Sequence, residues 1–122
     1  MTGVQTCALP ICLGPRDAWF TAAAIDVLLS QPFTAGPGTN RTGVQLQGPR
    51  LARAVADELL SEGVVPGCIE VPPGGDPVLL LNDHQTTGGY PVIAVVVSAD
   101  LDRAAQLGAG RELRFALDRV RG

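Results

Sequence analysis

The stretch Cys68–Val97, CIEVPPGGDPVLLLNDHQTTGGYPVIAVVV, decides the architecture. Cys68–Val71 is a short run with β-branched residues, which suits a strand. PPGGDP follows. Proline fixes φ and glycine opens the positive-φ region, so the chain must turn there. That turn is too proline-rich for a tight two-residue hairpin. Val78–Leu81 is predicted to be the next strand. Val92–Val97 is apolar on both faces, so it is predicted to be a central strand rather than an exposed edge. Between these strands lies Asn82–Pro91, NDHQTTGGYP. It reads as a crossover from sheet to sheet, and it concentrates an acid, the only histidine, hydroxyls, glycines and the only tyrosine.

Thr21 is placed to cap a helix over Ala22–Leu29, with Ile25, Leu28 and Leu29 in one apolar stripe and Pro32 ending it. VQLQG, Val44–Gly48, alternates as a strand with one buried face does, and Asn40 and Gly43 suit the turn into it. Leu51, Val55 and Leu59 share a helical face, which predicts a helix over Leu51–Leu60 stopped by Gly63. Ser98 or Asp100 is placed to cap a short helix through Leu107, with Leu101, Ala104 and Ala105 inward. In RELRFAL, Arg111–Leu117, the residues Leu113, Phe115 and Leu117 fall on one face. The sum is about five short strands and two or three short helices, which predicts a mainly β domain, a barrel or sandwich with helices plugging its ends. Regular βαβ alternation is absent, which disfavours a doubly wound sheet.

With 122 residues, 46% of them hydrophobic, the chain suits one domain with a modest core. Aromatics are only 4%, so aliphatic side chains must fill that core. The formal charge is −3 and all nine basic residues are scattered arginines, which disfavours nucleic acid as a partner. No apolar run reaches the length of a membrane span. Nothing marks secretion, so the cytoplasm is the expected location. Residues 1–11, MTGVQTCALPI, resemble the translated read-through of a sequencing adapter. They are expected to be a leader outside the fold, the alternative being a short strand over VQTCALPI. The folded unit is then expected over 13–118, with 119–122 fraying, and the chain is expected to be a fragment lacking a preceding part. Cys68 is the one cysteine clear of that leader and its junction, so neither a disulfide framework nor a metal site is indicated.

QTTGGYP is not a phosphate loop, because Tyr90 stands where a lysine is needed, and no helix-forming run follows for a dinucleotide fingerprint. Its exposed N–H groups suit an anion-binding nest. Gln85 donates and accepts, and Thr86 and Thr87 bring hydroxyls. Gly88 and Gly89 allow close approach or positive φ. Histidine changes charge near neutral pH, so His84 is a candidate proton shuttle, against local packing. Asp83 is its sequence neighbour, and neighbouring strand residues point to opposite faces, so these two make a poor dyad. Tyr90 either caps a pocket or anchors the turn. Glu62 either pairs with an arginine or a substrate, or is a solvated turn acid. Arg16 and Asp17 could pair at a junction. With no lysine in the chain, Arg16 and Arg41 are the candidate cations for an anionic ligand. Trp19 is most simply a hydrophobic anchor.

GPRDAWF, NRTGVQLQG, LLSEGVVPGCIEVPPGGDPVLLLNDHQTTGGYPVIA and SADLDRAAQLGAGRELRF together resemble the biotin-dependent carboxyltransferase family. That family contains the C-type component of bacterial 5-oxoprolinase, the second subunit of so-called allophanate hydrolase, the kinase-regulatory KipA proteins and the matching domain of urea carboxylase. The spacing of SEGVVPG and QTTGGYP is its most specific mark. Thr42 departs from a usual methionine, Glu70 from a glutamine, Val92 from a lysine or arginine, and His84 from an arginine.

The resemblance implies a cyclophilin-like closed β-barrel, the C-terminal of two similar subdomains. It implies a 5-oxoprolinase component that works with a B-type and an A-type subunit, using ATP in the complex to activate the lactam. The alternatives are a carboxyltransferase domain receiving carboxybiotin in trans, or a non-catalytic module of the KipA kind. The motif positions it points to are Glu62, Gln85, Thr86 and Tyr90 as catalytic, with Arg16, Arg41, Thr87, Gly88 and Gly89 for substrate or anion binding and no metal.

Overall fold

The computed structural model describes residues 7–55, 62–82, 87–106 and 108–118. In chain order the strands are β1 (Cys7–Leu13), β2 (Phe33–Ala35), β3 (Gly43–Gln47), β4 (Glu62–Gly63), β5 (Cys68–Glu70), β6 (Val78–Leu80), β7 (Thr87–Gly88), β8 (Val92–Val96) and β9 (Glu112–Leu117). The helices are α1 (Ala22–Ser30) and α2 (Leu101–Ala105), with single 3-10 turns over Asp17–Trp19 and Ser98–Asp100. Seven strands close a barrel in the order β1-β8-β5-β6-β3-β2-β9, while β4 and β7 form a separate two-stranded ribbon. The barrel is mixed: β1 runs parallel to β9 and antiparallel to β8.

Of residues 1–11, expected to be a leader outside the fold, 1–6 lie outside the described set. Residues 7–11 belong to β1, which pairs with both β8 and β9 and so closes the barrel. The alternation in CALPICL sends Leu9 and Ile11 into the core with no exposed surface. They join Phe33 and Phe115, whose rings lie 5.9 Å apart and tilted by 55°, a favourable aromatic arrangement.

The helix after Thr21 forms as its cap predicts, with the Thr21 hydroxyl accepting from the Ala24 N–H at 3.0 Å. Its deepest residues are Ala24 and Leu28, with Ile25 and Leu29 half-buried beside the core. The helix expected over Leu51–Leu60 does not form in its described part. Leu51 is buried and Arg53 bridges to Phe20 instead. Residues 56–61 lie outside the described set. The last helix stops at Ala105, which is exposed rather than inward, and Asp100 pairs with Arg103 at 2.9 Å instead of capping. Leu117 is 49% exposed, so only Leu113 and Phe115 of the last strand reach the core.

The expectation of a central strand over Val92–Val97 is met by β8, between β1 and β5. Its apolarity on both faces has a cause: Val92 packs outside the barrel with Val64, Cys68 and Leu80, while Ile93, Ala94 and Val96 pack inside. Between the β4 ribbon and β5 sits Gly67 at φ +100, where an added Cβ would lie 2.9 Å from the Val96 carbonyl oxygen. Gly67→Ala is therefore expected to lower stability by about 1–3 kcal/mol in denaturant unfolding. Leu9→Ala, which opens a hole beside the closing strand, is expected to lower it by about 2–5 kcal/mol, and an unchanged unfolding midpoint would remove β1 from the barrel.

Candidate functional site

The two motifs that carry the most specific spacing meet in space. Glu62 of β4 pairs with Gly88 of β7, and Gly63 pairs with Thr87. The segment from β6 to β8 must pass the intervening β5, since the barrel order is β8-β5-β6. Its β7 portion passes beside the segment that leads into β5. A ribbon of two residue pairs cannot hold itself together in water, so other contacts must place it.

Val64 continues from the ribbon into the apolar cluster on the outer face of β5, β6 and β8. On the other side Pro91 is buried, and its carbonyl accepts the Val71 N–H at 3.1 Å. At the ribbon's start, Glu62 Oε1 takes Arg16 Nη2 at 2.7 Å and Nε at 2.8 Å. Both side chains keep about a third of their surface, 38% for Arg16 and 32% for Glu62. Arg16 reaches this place because Gly14 and Arg16 donate their N–H groups to the Ile93 and Val92 carbonyls at 3.0 and 2.9 Å. Its guanidinium also lies 5.3 Å from the centre of the Trp19 ring, and that of Arg53 lies 5.8 Å from the same ring.

Among the sequence candidates, the structure thus joins Arg16 to Glu62 by side chain, and Glu62 and Gly63 to Gly88 and Thr87 by backbone. Gly89 and Tyr90 are exposed beside them, Tyr90 at 44%. Arg41 is exposed in the β2–β3 turn, where Asn40 Oδ1 accepts the Thr42 N–H at 2.8 Å. That turn borders the start of the crossover, since Leu81 donates its N–H to the Thr42 carbonyl at 2.9 Å. Gln85, Thr86, Asp83 and His84 lie outside the described residues. Arg53 escapes sequence reasoning because its segment reads as a helix. Its only sequence signal is an arginine in an otherwise alanine-rich run.

Glu70 is the buried charged side chain of the described set, 4% exposed. It stands in register between Val78 and Val92 on the outer face of β5. Two residues along the same face, burial pushes the Cys68 thiol above its ordinary value of 9.0, and the Glu70 carboxylate adds to the rise, against a hydrogen bond with the Val65 backbone. Beside this face, Cys12, Val65, Pro66, Asn82, Val95 and Val97 are among the walls of a cavity of about 450 Å³. The walls are apolar except near Asn82, and of the two motifs only SEGVVPG reaches them, through Val65 and Pro66. Among the described residues there is no group of three or more His, Cys, Asp or Glu that could hold a metal ion.

Because the Arg16–Glu62 pair is partly solvated, Glu62→Gln is expected to change stability by about 1 kcal/mol or less in chemical denaturation. Cys68 is a thiol held neutral by the fold. Its stabilising share is complete below the unfolded pKa and is lost as pH climbs through 9.0 toward the raised folded value. Alkylation at pH 8 followed by peptide mapping is expected to leave Cys68 unlabelled until denaturant is added.

The family described as carboxyltransferase domain, subdomain A and B, matches residues 3–117. The chain is 43% identical over 108 residues to the C-type component of the 5-oxoprolinase of Escherichia coli strain K12, which covers 88% of this chain and 34% of that protein. It is 31% identical over 112 residues to a putative urea carboxylase of Emericella nidulans, covering 84% of this chain and 9% of that one. The crystal structure of the Kluyveromyces lactis urea carboxylase superposes with a TM-score of 0.87 at 23% identity, over 96% of this chain and 11% of the other. The chain spans about a third of the length of the Escherichia coli relative. The family match covers both motifs of the ribbon and every strand of the barrel: the chain belongs to the carboxyltransferase-domain family that the C-type 5-oxoprolinase component and urea carboxylase represent.

Proposed function

We propose that the ribbon and the Arg16–Glu62 pair edge a site that binds a small planar amide and passes a carboxyl group to its nitrogen, as in urea carboxylation. The observation that carries this is the pairing of Glu62–Gly63 with Thr87–Gly88 in a member of the carboxyltransferase-domain family. The ribbon's surface is open: a Cβ at Gly63 or at Gly89 would meet no atom within 4 Å. A ligand can therefore come close to the backbone, whose N–H groups suit charge developing on an amide oxygen.

Carboxybiotin, delivered in trans, supplies the carboxyl group when bound. The cavity walled by Val65, Pro66, Val95, Val96 and Val97, with the Asn82 amide at its edge, fits a ring body with one polar rim. In this reading Glu62, aimed by Arg16, accepts the proton that the amide nitrogen loses and returns it to the nitrogen that gives up the carboxyl group. Backbone groups of Thr87–Gly89 hold the amide oxygen. Gln85 and Thr86 contact the substrate, and Tyr90 covers it from solvent. Arg41 attracts the anionic partner. The cyclophilin-like identity of the barrel, a cytoplasmic place of action and a B-type partner belong to the same proposal.

The 43% identity to a C-type 5-oxoprolinase component favours a second reading, in which the same site holds the lactam of 5-oxoproline while ATP is used in the complex with B- and A-type subunits. Among the described residues none builds a phosphate cradle, so no step through ATP is assigned to this chain.

The two readings separate in one assay of the full-length protein with its partner subunits. Avidin-sensitive incorporation of bicarbonate into urea is the expected result. Avidin-insensitive, ATP-coupled cleavage of 5-oxoproline without carboxylation would overturn the first reading in favour of the second. In either case Gly89→Ala is expected to leave stability within about 0.5 kcal/mol and to lower turnover by about tenfold to a hundredfold through misplacement of the ligand.

A further inference from the structure

An exposed ion pair contributes little by itself, and a long arginine loses much rotamer freedom when it is held. Arg16 nevertheless aims both Nε and Nη2 at one oxygen of Glu62. Something must fix the plane of its guanidinium. The Arg16 guanidinium carbon lies over the Trp19 ring, 5.3 Å from its centre, where an aromatic face attracts a cation.

Trp19 is itself tied down on several sides. Its N–H donates to the Arg16 carbonyl at 2.9 Å, and its own carbonyl accepts the N–H groups of Ala54 and Val55 at 2.8 and 3.2 Å. Arg53 brings a second guanidinium to the ring at 5.8 Å and is aimed there by Nε donating to the Val55 carbonyl at 3.1 Å. The Arg53 backbone bridges to Phe20, and both Phe20 and Leu51 are buried in the core. A continuous run of contacts therefore leads from the core through Arg53, Trp19 and Arg16 to Glu62. The ribbon has only two residue pairs of its own.

We infer that Trp19 and Arg53 are positioning residues for Glu62, acting through Arg16, and that this stack clamps the β4–β7 ribbon to the barrel. The inference departs from a reading of Trp19 as a hydrophobic anchor, for which any bulky apolar side chain would serve. A clamp needs an aromatic face. For its activity readout alone it rests on the function proposed above.

The test is hydrogen exchange by mass spectrometry on the full-length protein, with turnover measured in parallel. Trp19→Leu is expected to speed exchange about threefold in residues 62–67 and 87–91 while the barrel strands stay protected. Trp19→Phe, which keeps an aromatic face, is expected to restore most of that protection. Trp19→Leu combined with Glu62→Gln is expected to add nothing to Glu62→Gln alone, because the effect runs through that carboxylate. Unchanged exchange in Trp19→Leu, an equal rise in Trp19→Phe, or simple additivity would each overturn the clamp. Should Trp19→Leu loosen the barrel strands as well, Arg53→Gln takes its place: a rise confined to the same two segments supports the clamp, and wild-type exchange overturns it. The expected exchange pattern with neither carboxylation nor 5-oxoproline cleavage would refute the proposed function and leave the clamp standing.

Discussion

Barrel closure through β1 is the constraint on which the rest depends. Without it, β8 and β9 would each present an unpaired edge, and the core would open where Leu9 and Ile11 now fill it. The strand satisfies both neighbours at once, antiparallel on one side and parallel on the other. Closure also sets what comes next. Gly14 leaves β1 with its N–H on the Ile93 carbonyl, and this brings Arg16 to the mouth of β8. The cation beside the candidate site is thus delivered by the strand that closes the barrel.

The site lies outside the closed sheet. A short ribbon gains order from three directions: the apolar cluster around Val64, the buried Pro91, and the Arg16–Glu62 pair. Each restrains a different part of the ribbon, and none covers its open glycine surface. Such an arrangement leaves the space over Gly63 and Gly89 open above a closed barrel, which suits the proposed binding of a small polar molecule.

Much of the fold was legible in local pattern. The alternation in VQLQ, the doubly apolar VIAVV and the Thr21 cap each became the element they suggest, since burial on one or two faces and a missing helix-end acceptor are local demands. The failures have equally physical causes. Leu51–Val55 carries a helical spacing, yet Leu51 is drawn into the core and Arg53 into a bridge with Phe20, so tertiary contacts override propensity. CALPICL alternates as a strand, but most of it falls in the stretch that resembles adapter read-through, where a strand is only the alternative reading. Phe33–Ala35 is too short to announce itself, and it is a strand because β3 and β9 lie on either side.

The candidate site divides in the same way. SEGVVPG and QTTGGYP stand out through their resemblance to one family, while the glycines and hydroxyls of QTTGGYP by themselves are a modest signal. That Glu62 sits across from Gly88, that Arg16 rather than a ligand holds Glu62, and that Trp19 lies between two guanidiniums are long-range facts. By itself the sequence determined a mainly β chain and many of its core-facing positions, since periodicity and turn chemistry act over a few residues, and its resemblance to a family marked the two motifs. Only the tertiary structure decided which strand closes the barrel and which side chains meet around the ribbon, because those contacts join residues dozens of positions apart and depend on the whole barrel being closed.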